Sequence, residues 1–235
     1  RRMTKLLNSI TFIIKIKNKM KKIIIVGSGG HAAELRDYIN HNNNARPADR
    51  MEVVGFIDDN EDSYKHYNFA EPFLGSIKNH KVHKEVFYLM GIANLDYRKK
   101  IIESLLEKGA EFTGLIHPTA IISPSAEIHP TTVISHNASV GAMAKLGKYN
   151  MLNSRCTIGH DSVIGNYNFI SPQVAVSGNT KIGDGNLIGT NACTIPGMTI
   201  GNNNKIAAGM VLYKPVGDDS TVLFRHKERL IITKE

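Results

Sequence analysis

The chain has 235 residues, enough for one large domain or two ordinary ones, and 42% of them are hydrophobic, which excludes a disordered polypeptide. Its formal charge of +8 does not mark a nucleic-acid binder: eight of the 29 basic residues fall in residues 1–22, which hold no acid, and the other 21 face 21 acidic residues. The two cysteines, Cys156 and Cys193, give no disulfide framework.

Residues 1–19 carry basic residues around a short apolar run, Ile10 to Ile14. That run is too short for a membrane span, and it lacks the long apolar region and small-residue cleavage site of a secretory signal. The expectation is a leader outside the fold, with Met20 as the natural start; a basic interfacial anchor is the alternative.

From Lys21 the chain reads as a small β-α-β domain over residues 20–115. Ile23-Ile24-Ile25-Val26 suits a buried parallel strand. Gly27-Ser28-Gly29-Gly30-His31-Ala32 follows as a turn, and Ala33 to Asn40 as a helix with Leu35 and Ile39 on one face. The segment Asn42–Pro47 reads as a loop. Val53–Ile57 reads as a second strand ending at Asp58-Asp59, Tyr88–Ile92 as a third, and Asp96–Lys108 as a helix with Ile101, Ile102, Leu105 and Leu106 as its core stripe.

A strand, a glycine turn and a helix N-terminus make a phosphate-binding device. Glycines admit the ligand close to the backbone, and the first helical N–H groups are free to donate. Gly27, Gly29 and Ala32 fit the G-x-G-x-x-G/A spacing, and an acid ending the next strand, Asp58 or Asp59, can accept from ribose or base. The same glycines also serve simply to pack a helix on a sheet.

From Ile116 to Leu212 every sixth residue is Ile, Leu or Val at sixteen of seventeen positions, with no insertion. A small residue often stands two places earlier, as at Ala120, Ala138, Asn150, Cys156 and Ser162, and glycine often follows, as at Gly141, Gly159 and Gly183. This period fits neither an amphipathic helix nor an alternating strand. It is the hexapeptide repeat of a parallel β-helix, in which three hexads close a triangular coil. At a strand spacing of about 4.8 Å, the five to six coils span roughly 25 Å. Cys156 falls on a small inward position, where packing is its expected role.

The motifs IIIVGSGGHAAEL, VVGFIDDN, LIHPTAIISPSAEI and NSRCTIGHDSVIGNYNFISPQVAVSGNTKIG resemble those of bacterial hexapeptide-repeat sugar acetyltransferases of the PglD/NeuD type. These are UDP-4-amino-sugar N-acetyltransferases and sialic acid O-acetyltransferases. The resemblance implies a Rossmann-like nucleotide-sugar domain (20–115), a left-handed parallel β-helix (116–213) and a C-terminal tail (214–235). It implies acetyl-CoA as acetyl donor, a UDP-linked amino sugar as acceptor, a cytoplasmic homotrimer with sites between subunits, and a role in glycan biosynthesis. Gly27, Gly29, Gly30, His31, Asp58 and Asp59 would hold the nucleotide-sugar. His160 would be the general base, Asp161 its partner and Asn153 an active-site amide. Gly178, Thr190 and Ala208 would line the coenzyme A cleft.

The chain departs from that pattern twice. Phe169 stands where the family often has a second histidine, and Val222–Lys227 replaces the usual turn after the last coil. A zinc site of the γ-type carbonic anhydrase kind would pair histidines about five apart; His160 meets Gly165 and His136 meets Gly141 there, so no metal is expected. His117, His129 and His136 read as exposed turn residues. Open alternatives are O-acetylation on the same fold, an NAD-dependent oxidoreductase using the glycine turn, and a non-catalytic trimeric scaffold.

Overall fold

The structure, a computed structural model, describes residues 20–224. The reading of the leader and of Arg225–Lys227 lies outside the described residues. The chain divides into two compact units. The first runs to Ala120 and adds Pro130–His136; the second comprises Ile121–His129 and the chain from Asn137.

The first unit holds a four-stranded parallel sheet in the order β2-β1-β3-β4, built from β1 (Lys21–Val26), β2 (Met51–Ile57), β3 (Phe87–Met90) and β4 (Glu111–Phe112). Chain order reverses beside β1, which places the crevice at the carboxyl ends of β1 and β3, where open α/β sheets bind ligands. Ile23, Ile25, Leu35, Phe56, Leu89, Ile102 and Leu105 are fully buried and form the core. Ile102 and Leu105 keep their place in the predicted stripe of α3 (Leu95–Glu107), whereas Leu106 is exposed.

The first helix is longer than its sequence suggests. α1 runs Gly30–Ala45, so most of the segment read as a loop is helical. The asparagines that suggested a loop tie the helix to the chain beyond it. Asn42 is buried and its Nδ2 donates to Asp49 O (3.1 Å), while Asn43 pairs with both the N–H and the C=O of Met51 (2.8 and 2.7 Å). A further helix, α2 (Glu61–Tyr67), has no apolar stripe to announce it. It is specified by its ends: the Asn60 side chain accepts from Asp62 N–H, and Asn68 leaves in the left-handed conformation at φ 46°.

The second unit is a coil of two-residue strands six apart. One face stacks Glu127–Ile128, Lys145–Leu146, Val163–Ile164, Lys181–Ile182 and Thr199–Ile200; another runs from Ile121–Ile122 through Thr157–Ile158 and Ala175–Val176 to Val211–Leu212. The third face of this unit includes Met151–Leu152, Phe169–Ile170 and Leu187–Ile188. Pairing is parallel, with partners eighteen residues apart, such as Thr157 with Ala175, until the last pair, where Lys205 meets Thr221 at sixteen. This is the parallel β-helix expected from the hexads, with the left hand that the resemblance implied, about six turns in all. Ile158, Ile164 and Ile188 point inward and are at most 1% exposed, and Ile134, in the first unit, is fully buried.

Two devices hold the coil. Every sixth residue from Asn137 to Gly209 has a positive φ, so each corner is turned by one left-handed residue. Inside, Asn150, Asn168, Asn186 and Asn204 form a buried ladder eighteen residues apart. Each side-chain oxygen accepts the backbone N–H of the next rung: Asn168 N–H to Asn150 (2.8 Å), Asn186 to Asn168 (2.8 Å) and Asn204 to Asn186 (2.9 Å). The amide of Asn168 also donates to Gly183 O (2.9 Å).

Candidate active site

The hexad phase that buries Ile158 carries the chain past Gly159 to a corner at His160. Its ring is 64% exposed, and Nδ1 lies 2.7 Å from Asp161 Oδ2. Asp161 is itself the left-handed corner residue, with φ 57°, a conformation that Asp and Asn tolerate better than most side chains. Its N–H donates to Ala142 O one coil away (2.8 Å). The carboxylate therefore reaches back to its neighbour's ring. With the proton of His160 held on Nδ1 by Asp161, Nε2 is left as the acceptor.

One coil further along the same edge is Gly178. A Cβ built there would lie 2.7 Å from His160 Nε2, so the ring occupies space that only glycine leaves open. Gly159 is under the same constraint: its Cβ would lie 2.4 Å from Gly178 N. Gly178 O accepts from Gly197 N–H (3.0 Å), and its own N–H has no hydrogen-bond partner among the described residues. An imidazole nitrogen and a backbone N–H without a partner among the described residues thus stand side by side.

The other candidates of this unit lie on a different edge. Asn153 follows the strand Met151–Leu152, and its Oδ1 accepts from Ser154 N–H (2.7 Å). Thr190 and Ala208 are exposed and stand one coil apart on the edge that includes Ser154; Gly209 N–H donates to Thr190 O (2.8 Å). Within one chain the structure gathers His160, Asp161 and Gly178 on one edge and Asn153, Thr190 and Ala208 on another. Phe169, at the position of the missing histidine, is 8% exposed and belongs to the face carrying Met151. Cys156 is fully buried, and burial pushes its thiol up to about 12, so it is no nucleophile.

In the first unit the glycine turn is fixed from both sides. Gly27 has φ +98°, and a Cβ there would meet Ile92 Cγ1 at 2.7 Å. Ser28 is buried, and its N–H and hydroxyl both donate to Asp58 Oδ2 (2.6 and 2.8 Å). Asp58 Oδ1 accepts from Asn60 N–H (2.9 Å), so this carboxylate ties the turn to the end of β2. Asp59 is exposed, with Oδ1 accepting from Lys78 N–H (3.2 Å). Gly29 opens on free space at the head of α1, and Gly30 lies against the Tyr67 hydroxyl.

His31 does not cap α1, whose N-cap Gly29 makes no side-chain hydrogen bond. Its Nδ1 faces Glu34 Oε2 at 3.5 Å, and that contact holds the Glu34 carboxyl below its ordinary range against the opposing effect of burial.

Two residues behave differently from their sequence reading, and a third, Arg98, had none. His117 is buried, 5% exposed, rather than a free turn residue: its Nδ1 pairs with Thr119 Oγ1 (2.9 Å), and burial and nearby His41 lower its pKa. His136 pairs through Nδ1 with the Tyr38 hydroxyl (2.8 Å). Arg98 is buried and donates to Ile92 O (2.8 Å), with burial lowering it to about 10; only its place near the start of α3 marked it in the sequence. Among the described residues no group of three or more His, Cys, Asp or Glu side chains could hold a metal ion, and no helix is long and apolar enough to cross a membrane.

Comparison with known proteins matches both units. Residues 22–105 match the family described as PglD N-terminal domain, and residues 179–214 match the hexapeptide repeat of succinyl-transferase. A UDP-N-acetylbacillosamine N-acetyltransferase of Bacillus subtilis is 33% identical over 117 residues, 49% of this chain and 51% of the relative. The chain thus spans about half the length of that curated relative.

Among solved structures, the acetyltransferase domain of PglB from Neisseria gonorrhoeae is 28% identical, with a TM-score of 0.74, over 86% of this chain and 95% of that one. The same domain is also known in complex with acetyl coenzyme A, at a TM-score of 0.73 and 27% identity over 86% and 96% of the two chains. WeeI from Acinetobacter baumannii, 23% identical with a TM-score of 0.73 over 86% and 96%, shares the fold. In its glycine-turn unit and in its hexads alike, this chain has the build of the PglD-type sugar acetyltransferases that its sequence motifs resemble.

Proposed function

We propose that the chain is an acetyl-CoA-dependent N-acetyltransferase acting on a nucleotide-linked amino sugar, with UDP as the nucleotide, in bacterial glycan biosynthesis. The observation that carries this reading is the His160–Asp161 pair, with Nε2 seated against Gly178 and a free backbone N–H beside it. A histidine held by a carboxylate and a donor aimed at developing negative charge are what acyl transfer to an amine requires. The names of the Bacillus subtilis and Neisseria gonorrhoeae relatives support the acceptor class and the donor.

The thioester of the donor supplies the acetyl group. His160 Nε2 takes the proton that the amine sheds as nitrogen bonds to the acetyl carbon. It returns that proton to the sulfur as the carbon–sulfur bond breaks. The Gly178 N–H donates to the carbonyl oxygen as that oxygen gains charge, and Asp161 holds Nδ1–H and steadies the imidazolium. Thr190 and Ala208 line the path of coenzyme A, and Asn153 orients the reacting groups from the same edge. Gly27, Gly29, Gly30, His31 and Asp59 receive the nucleotide-sugar on residues 20–115, with Asp58 shaping the turn. The two edges of candidate residues fit a homotrimer whose sites lie between subunits, each edge coming from a different chain.

The decisive experiment follows acetyl-CoA consumption against a panel of UDP- and GDP-linked 4-amino and 3-amino sugars, with hydroxyl-only sugars beside them. Turnover with a UDP-linked amino sugar is the expected result. Turnover with hydroxyl acceptors alone overturns N-acetylation, and a preference for GDP overturns the nucleotide assignment.

A further inference from the structure

Beyond Asp59, the segment between the second and third strands of the first unit holds none of the residues given a role in the reaction described above. Residues 78–84 read Lys-Asn-His-Lys-Val-His-Lys: three lysines, two histidines and no acid. Among the described residues none of Lys78, Lys81, Lys84 or the adjoining Lys108 takes part in an ion pair. Lys108 Nζ instead donates to Lys78 O (3.0 Å), which adds a fourth cation to the group. Glu85 follows directly and Asp59 meets Lys78 N–H, yet neither carboxylate pairs with a lysine of the group, and an anion relieves the repulsion among these cations.

Behind these cations is a cavity of about 370 Å³, lined from Leu74 and Gly75 through Ser76, Asn79 and His80 to Lys81 and His83. It adjoins the end of the second strand: Asp58 N–H donates to Gly75 O (3.1 Å) and Asp59 accepts from Lys78 N–H (3.2 Å). His80 is 8% exposed, and its Nε2 lies 2.8 Å from the hydroxyl of the fully buried Tyr88. That hydroxyl also accepts from His83 N–H (3.1 Å), and among the described residues His80 Nε2 is the one acceptor within reach of its own hydrogen. His80 is thereby a neutral imidazole with its proton on Nδ1, in keeping with the lowering of its pKa by burial and by the charges of His83 and Lys108. Nδ1–H has no hydrogen-bond partner among the described residues. Ser76 Oγ accepts from Asn79 N–H (3.3 Å), which leaves its hydroxyl hydrogen to donate as well.

We infer that this cavity is an oxyanion site for a phosphate-bearing ligand. The lysines supply attraction at range, and His80 Nδ1–H, Ser76 Oγ–H and the side-chain amide of Asn79 supply donors to the several oxygens of a phosphate. The inference does not depend on acetyl transfer. Its ligand comes either from the diphosphate of a nucleotide-linked substrate or from free phosphate, and the test separates the two.

The imidazole signals of His80 and His83 in the full chain are followed by NMR while inorganic phosphate, inorganic pyrophosphate, UDP and uridine are added in turn. Saturable shifts with a phosphate probe and none with uridine are expected. A Lys78→Gln/Lys81→Gln/Lys84→Gln variant, altered only at exposed side chains, should bind at least about tenfold more weakly. Displacement of pyrophosphate by UDP assigns the site to the nucleotide diphosphate; binding of phosphate that UDP leaves undisturbed assigns it to a free anion. The inference is overturned if no phosphate probe moves the His80 signals, if uridine moves them equally, or if the triple variant binds as well as the parent.

Discussion

His160 depends on two neighbours of opposite character, Asp161 for its charge and Gly178 for its missing side chain. A positioned general base contributes about 10²–10⁴-fold, so His160→Ala should lower kcat by that range. Its melting temperature should hold, because a ring 64% exposed supports no core. The loss should shrink as pH rises, since more of the acceptor amine is then already deprotonated. Asp161→Asn should cost less than His160→Ala, and Asn is the informative replacement because it also tolerates the left-handed φ of 57°. Gly178→Ala should lower kcat without unfolding the coil, since its Cβ would displace a ring already 2.7 Å away. Steady-state kinetics beside thermal melts check all three. The two acids of the first unit should separate as well. Asp58→Ala, which frees Ser28 from both hydrogen bonds, should lower the melting temperature, whereas Asp59→Ala should weaken nucleotide-sugar binding with coenzyme A binding unchanged in calorimetry. The sequence carried the His160-Asp161 adjacency and the phase that set it on a corner. It did not carry which of Asp58 and Asp59 meets Ser28, because that depends on how β2 ends beside the turn.

At the scale of elements, the hexads were legible because burial imposes aliphatics at a fixed interval. The corners were not. Left-handed residues recur every sixth place, yet they include Met143, Tyr149, Arg155 and Gln173 beside the Asn, Asp and Gly that ordinarily betray such a turn. The coil overrides local preference there. The asparagine ladder has the reverse character: Asn150 and Asn168 stand among the small residues two places before an aliphatic, but their hydrogen bonds, like those of Asn186 and Asn204, exist only once coils stack in an eighteen-residue register. Asn168→Ala removes the acceptor of Asn186 N–H and the donor to Gly183 O. Leaving such buried groups unpaired costs about 1–3 kcal/mol each, so the variant should lose stability by that order in urea unfolding. Asn166→Ala, in the exposed Asn166–Asp184 pair, should lose less because water replaces the bonds of its side-chain amide, while its backbone N–H keeps its bond to Asp184. The same logic explains α1: an Asn-rich stretch reads as a loop until Asn43 is seen to bond both backbone groups of Met51.

For the whole molecule, the separation of candidates onto two edges of the coil is the strongest constraint. His160, Asp161 and Gly178 follow the strands of one face; Asn153, Thr190 and Ala208 follow those of another. If the proposed site lies between subunits, one chain gives the base and a neighbour gives Asn153. His160→Ala and Asn153→Ala chains, each inactive alone, should then complement each other. In a randomly mixed homotrimer each site draws one edge from each of two chains, so an equal mixture should regain about a quarter of parental activity. The mixture must be unfolded and refolded together, or coexpressed, so that chains exchange, and its mass should remain that of a trimer. Activity no greater than that of the separate variants, in a preparation shown by tagged chains to be mixed, would place both residues in one chain's site and remove the need for a neighbour. Recovery also depends on the His160 edge being intact in the Asn153→Ala chain. That condition is testable by the persistence of the His160 imidazole signal and its response to Asp161→Asn, which links the assembly back to the pair on which the chemistry rests.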